Sequence, residues 1–186
     1  SGTVKSSPSC PVFQGGLEFW SLTMRSIAFL APIAAVLALS GAAAAQPSAV
    51  VVTVSPDFAT TAQELGERDV QQQVSDLTRT VERVLTDRHA LDGARVELVI
   101  TDLKPNRPTM QQLSDKPGLD SMRSLSIGGA AVEGSVTMAS GEVQPVKFDY
   151  YTPTLADARG STTWTDAQRA YDRLARNLAE GRFVRR

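Results

Sequence analysis

The strongest constraint on this fold is a change of apolar period, made and then reversed within about fifty residues. Ala49 to Ser55, AVVVTVS, is a run of β-branched residues that ends at Pro56, which is a strand signal. From Thr61 or Asp69 to Asp87 the apolar residues fall at Val70, Val74, Leu77, Val81 and Val84 or Leu85, one stripe on a helix. Arg95 to Asp102, RVELVITD, then alternates, with Val96, Leu98 and Ile100 on one side, as a half-buried strand does. Strand, helix, strand in that order makes the two strands parallel neighbours. The near-continuous valines of the first strand predict burial on both faces and a central place in the sheet.

Helix ends can be read from side chains able to satisfy free N–H groups. Thr61 with Glu64, or Asp69 with Gln72, offers a capping box for the first helix, with Gly66 weakening the earlier start. His89-Ala-Leu-Asp-Gly93 closes it. Lys104 to Arg123 carries three prolines and a glycine. It predicts a long loop over 103–123 with one helical turn near Met110 to Leu113, and loops of this length are commonly functional.

The stretch SLSIGGAAVEGSVTMASGEVQPVKFDYYT holds a second pair of strands. Leu125 and Ile127 share one parity, and Val132, Gly134, Val136 and Met138 the other. The flip at Gly128-Gly129 predicts a bulge or a bend. A straight strand through it would run about 50 Å at roughly 3.3 Å per residue, too long for so small a domain. Ser140-Gly141 is a hairpin turn, and Pro145 on the return strand points to a sheet edge. Ala167, Ala170, Tyr171, Leu174 and Leu178 form the stripe of a last helix, capped by Thr163 with Asp166 or by Thr165 with Gln168 and stopped by Gly181. Together these elements predict an α+β fold, a two-layer α/β sandwich in the order β-α-β-β-β-α. A mixed sheet of about four strands carries two helices on one face.

Ahead of this domain, Met24 to Ala45 has the order of a secretory signal peptide. Met24-Arg25 is a positive head, Ile27 to Leu39 an apolar core broken by Pro32, and Ala43-Ala44-Ala45 a small-residue cleavage site. The apolar core is shorter than the ~20 residues of a spanning helix. Cleavage would leave residues 46–186 as a single domain and place it in the periplasm or outside the cell. The alternative is an uncleaved leader, which would be the chain's only hold on a membrane. Residues 1–23 have no periodicity and read as an upstream or non-native extension. They hold the one cysteine, Cys10, so the domain is expected to lack thiol chemistry.

Two segments, SIGGAAVEGSV (Ser126–Val136) before a hairpin and STTWTDAQRAYDRLARNLAEG (Ser161–Gly181) at the end, resemble exported proteobacterial proteins of unknown function. They are also loosely similar to small α/β domains of bacterial lipoproteins. The resemblance implies a periplasmic location and a compact α/β fold. It implies no catalytic residues, and the cysteine that lipidation needs is missing here.

Chemistry-bearing residues are sparse. With 19 Lys plus Arg against 20 Asp plus Glu, the chain lacks the basic balance of a nucleic-acid binder. His89 is the only histidine; it sits at a helix end, and no motif supplies a partner for base catalysis. A metal site on it would have to recruit Asp87 and Asp92, a spacing that diagnoses nothing. Asp115 and Asp120 are too few for a calcium loop. Gly128-Gly129 belongs to no phosphate loop. Tyr151, one of an adjacent tyrosine pair of which one member faces away from the core, and Trp164 are the candidate interaction surface. No catalytic, cofactor or metal residue is assigned. The expectation is a noncatalytic envelope module that binds another envelope component. The alternatives are a small periplasmic enzyme with its site in 104–123, and a self-assembling protein joined through an open strand edge.

Overall fold

A computed structural model describes residues Pro47–Val184. The expected leader, the expected extension before it and Cys10 lie outside the described residues. Strands β1 (Ala49–Val54), β2 (Arg95–Lys104), β3 (Gly129–Thr137) and β4 (Val143–Tyr151) form one open sheet in the order β1-β2-β3-β4. β1 runs parallel to β2, and the other neighbours are antiparallel. Helices α1 (Ala59–Leu65), α2 (Glu67–Asp87), α3 (Met110–Asp115) and α4 (Thr165–Ala179), with a 3-10 turn at Pro56–Phe58, complete the described residues. The result is the expected α+β sandwich, with α3 where one helical turn is expected.

The core lies between one face of the sheet and the stripes of α2 and α4. Val70, Leu77, Val81 and Leu85 from α2 meet Ala167, Ala170, Leu174 and Leu178 from α4 over Val96, Leu98, Ile100, Val132, Val136 and Phe148. The alanines of α4 allow a close approach. Buried Tyr171 donates from its hydroxyl to Gln73 Oε1 at 3.3 Å, so the two helices also share a polar contact inside the core. Burial, reinforced by the charge of Asp76, pushes the Tyr171 phenol well above its ordinary value.

Three local expectations are corrected. β1 is an edge strand, not a central one. Val50, Val52 and Val54 pack on the core while Val51 is 39% exposed; a continuous valine run fills a strand with one open face as readily as a doubly buried one. Gly66, at φ 97°, breaks the first helix into α1 and α2, and neither predicted capping box forms there. The bulge sits in β2, between Ile100 and Asp102. At the paired glycines β3 begins at Gly129, and Gly128 O just before it accepts from Thr152 N at 3.0 Å. Residues 89–93 close α2, which ends at Asp87, and Gly93 is a turn residue at φ 67°. His89 takes the left-handed position, φ 50°, while Ala90 N donates to Leu85 O and His89 N to Thr86 O, which is a Schellman closure.

These placements predict a contrast. Leu77→Ala, at a fully buried position, lowers unfolding stability by about 2–5 kcal/mol. Val51→Thr, on the open face of the edge strand, changes it by less than about 0.5 kcal/mol. Denaturant melts of both variants measure the two values.

Candidate functional site

The chain leaves the sheet at Lys104 and returns at Gly129, and one side chain closes that loop. Asn106 is fully buried. Its backbone N donates to Thr163 O at 2.8 Å, and its carbonyl accepts from Ser126 N at 2.9 Å. Its side-chain Oδ1 accepts from Asp166 N at 3.0 Å, and its Nδ2 donates to Asp166 Oδ2. An amide suits this place because it gives a donor to the carboxylate and an acceptor to the N–H on one planar group. Asn106 thereby caps α4 from across the molecule. Neither Thr163 nor Thr165 does so: the helix has no side-chain cap at Trp164, and the Thr165 hydroxyl binds Thr162. Asp166 is itself fully buried, and its second oxygen accepts from Arg169 Nη1 at 2.8 Å. A Cβ on residue 128 would lie 2.5 Å from the Asn106 side chain, which explains the first glycine of the pair.

The remainder of the loop is tied by local chemistry. Arg107 donates from Nε to Ser161 O at 2.6 Å and from Nη1 to the carbonyl of Met122. Thr109 and Gln112 form a reciprocal capping box on α3. The Asp120 carboxylate accepts from Met122 N and Arg123 N, and these two bonds hold its pKa below the ordinary carboxylate value. Asp115 accepts from Gln111 Nε2 at 2.8 Å. The two loop aspartates therefore serve the backbone and a neighbouring amide.

The loop so held encloses a cleft of about 380 Å³. Pro105, Pro108, Leu119, Leu125 and Ile127 provide apolar walls, Gln112, Ser124 and Ser126 are polar, and Lys104 and Lys116 stand among the lining with no carboxylate beside them there. Each ammonium is steadied from outside the cleft, Lys116 by Glu64 at 2.9 Å and Lys104 by Asp102 at 3.5 Å. The arrangement suits an apolar group that carries a polar or anionic flank. Met110 and Met122 are largely exposed on the same loop.

Tyr151 adjoins this cleft through Lys104. It lies on the face of the sheet away from α2 and α4, crosses Gly129, and donates from its hydroxyl to Asp102 Oδ2 at 2.6 Å. Lys104 Nζ sits 4.9 Å from its ring centroid. Gly129 is needed for this path, since a Cβ there would come within 2.6 Å of the Tyr151 ring and 2.1 Å of Tyr150 O. Burial above all, then the bond to Asp102 and the charges of Asp102 and Asp149, push the Tyr151 phenol well above its ordinary value. Trp164 is placed elsewhere. It is 9% exposed, belongs to the core, and donates from Nε1 to Asp69 at 3.2 Å. The structure therefore does not bring the two candidate aromatics onto one surface.

His89 is an exposed turn residue. Among the described residues no group of three or more His, Cys, Asp or Glu is placed to hold a metal, and no helix is long and apolar enough to cross a membrane. Sequence reading marked the loop by its prolines and Tyr151 by its strand parity. It missed Asn106, read Asp166 only as a local cap partner of Thr163 and Lys104 only as the start of the loop, because their roles arise from contacts distant in sequence. Comparison with protein-family models, curated proteins and solved structures finds no match to this chain.

Two predictions follow from the geometry. Asn106→Ala removes the helix cap and leaves the buried Asp166 carboxylate with one partner fewer, lowering stability by about 2–3 kcal/mol. Hydrogen exchange then shows residues 105–128 losing protection before the sheet does. The raised Tyr151 pKa means its contribution to stability is complete below the unfolded value of about 10 and is lost as pH rises beyond it. Alkaline denaturation read by circular dichroism, alongside ultraviolet titration of the phenols, shows Asp102→Asn bringing Tyr151 ionisation down toward that value.

Proposed function

We propose that this chain is an exported, noncatalytic module of the bacterial cell envelope. It works in the periplasm, or outside the cell, and holds another envelope component in the cleft between Lys104 and Ile127. The observation that carries this reading is the chemistry of the cleft. Apolar walls and two rim ammonium groups, held open by the buried Asn106–Asp166 contact, are equipment for gripping a partner segment. The leader-like order of Met24 to Ala45 supports export. Tyr151 extends the gripping surface past Lys104, since its ring is exposed enough to meet a partner and is fixed at both ends.

The partner this chemistry selects is a protein segment with an apolar side chain next to an acidic one. The apolar group displaces water from the walls at roughly 25 cal/mol per Å² buried. The acidic group supplies orientation and encounter rate more than affinity, because both lysines are half exposed.

Site-specific photocrosslinking in living cells tests the reading. A photoreactive residue in place of Ile127 is expected to give one discrete adduct in the periplasmic fraction, on a chain that begins at Gln46. The same residue in place of Val143, on the far end of the sheet, gives none. Lys104→Glu with Lys116→Glu cuts the adduct yield about tenfold. Equal labelling from both positions, or an adduct indifferent to the two charge reversals, would remove the cleft from the function.

A further inference from the structure

The two edges of the sheet are treated differently. Along β4, Pro145 offers no donor, and the chain's own end covers part of the rim: Lys147 N donates to Phe183 O at 3.0 Å, and Lys147 bridges Val184 in parallel. Along β1, Ala49–Val54 pairs with β2 on one side, and no strand among the described residues pairs on the other. The sequence AVVVTV carries no charge, no proline and no bulge, the devices by which edges are ordinarily kept from pairing. A groove of about 500 Å³ runs beside its start, between Pro47–Val50 and the α2 residues Arg79, Glu82, Arg83 and Asp87.

We infer that β1 is the seam of a homodimer, in which a second copy adds its own β1 antiparallel and continues the sheet across a two-fold axis. The occupant follows from self-complementarity. Centred on Val52, the pairing sets Val50 against Val54 on the helix-covered face and Val51 against Thr53 on the open face, so every pair between residues 50 and 54 is β-branched. Faces are conserved in this register, and the helix layers of the two copies lie on the same side. The α2 shelf beside the groove carries Arg79 and Arg83, which are paired with Asp76 and Asp172 of their own copy, and a two-fold through Val52 sets the two shelves at opposite ends of the seam, so the match across it rests on the strands.

The groove lies beside Pro47–Val50, at the Arg95 end of β2, whereas the partner cleft lies at the Lys104 end. The seam therefore leaves both clefts open and is independent of the function proposed for them.

Sedimentation equilibrium of the protein as recovered from the cell, from low to high micromolar concentration, tests this. The expected result is a reversible monomer–dimer equilibrium. Val51→Lys and Thr53→Lys, which face each other across the exposed side of the seam, each raise the dissociation constant at least about tenfold. Val143→Lys on the opposite edge leaves it unchanged. Thr53→Lys keeps the test decisive if circular dichroism shows that Val51→Lys does not fold. A single-chain mass at every concentration, including one accompanied by capture of an extended segment from another protein, overturns the seam. So does a dimer indifferent to both variants.

Discussion

The contact between the Asn106 amide and the Asp166 carboxylate is the constraint from which the working end of this domain is built. The two residues stand 60 apart in sequence and meet with no water between them. In a low-dielectric interior such a contact is strong when complete and costly when broken. Here it is complete, since Arg169 takes the second carboxylate oxygen, and Asn106 also accepts from the backbone of α4. One short side chain thus caps a helix and closes a loop. By filling the space over Gly128, it also fixes where the strand after the loop can begin. The cleft walls are consequences of that closure, because Pro105 and Ser126 flank the bonds Asn106 makes.

What could be read from the residues and what could not divides along the range of the interactions. The strand–helix–strand start, the hairpin at Ser140-Gly141 and the stripe of α4 are periodic signals set by which face is buried, and each survives in the structure. The short helix near Met110 was legible from its breakers, and the Schellman glycine Gly181 from its backbone freedom. β1 was misplaced because valine runs report burial of side chains and say nothing about which strands lie beside them. The cap of α4 was sought among Thr163 and Thr165 because capping is usually local. The group that performs it arrives from a loop, and no spacing rule encodes that. The paired glycines were recognised as a break in phase. Their causes, an amide over Gly128 and a tyrosine ring across Gly129, are tertiary.

Tyr151 shows how a modest strand position becomes a site by such contacts. Parity alone puts it on the open face. The bulge between Ile100 and Asp102 brings Asp102 within reach of its hydroxyl, and the bare backbone of Gly129 lets the ring lie flat enough to do so. Lys104 is then held by a carboxylate and a ring at once, at the lip of the cleft. A cation steadied in this way loses less conformational entropy on meeting an acidic partner than a free lysine does.

Placing a cleft at one end of β2 and an unguarded edge near the other has a consequence for avidity. Pairing of β1 across a two-fold would point the two clefts to opposite ends of a continuous sheet, too far apart for one short segment to fill both. A dimer of this geometry gains nothing on a single compact ligand. It gains strongly on a partner that repeats, because binding at the first cleft fixes the effective concentration at the second. On the proposed reading, a weak cleft with rim lysines half exposed to screening salt would serve on a repeating partner without high intrinsic affinity. In these two proposals the cleft and the edge answer one physical requirement: grip that comes from number and spacing, with each single contact left easy to release.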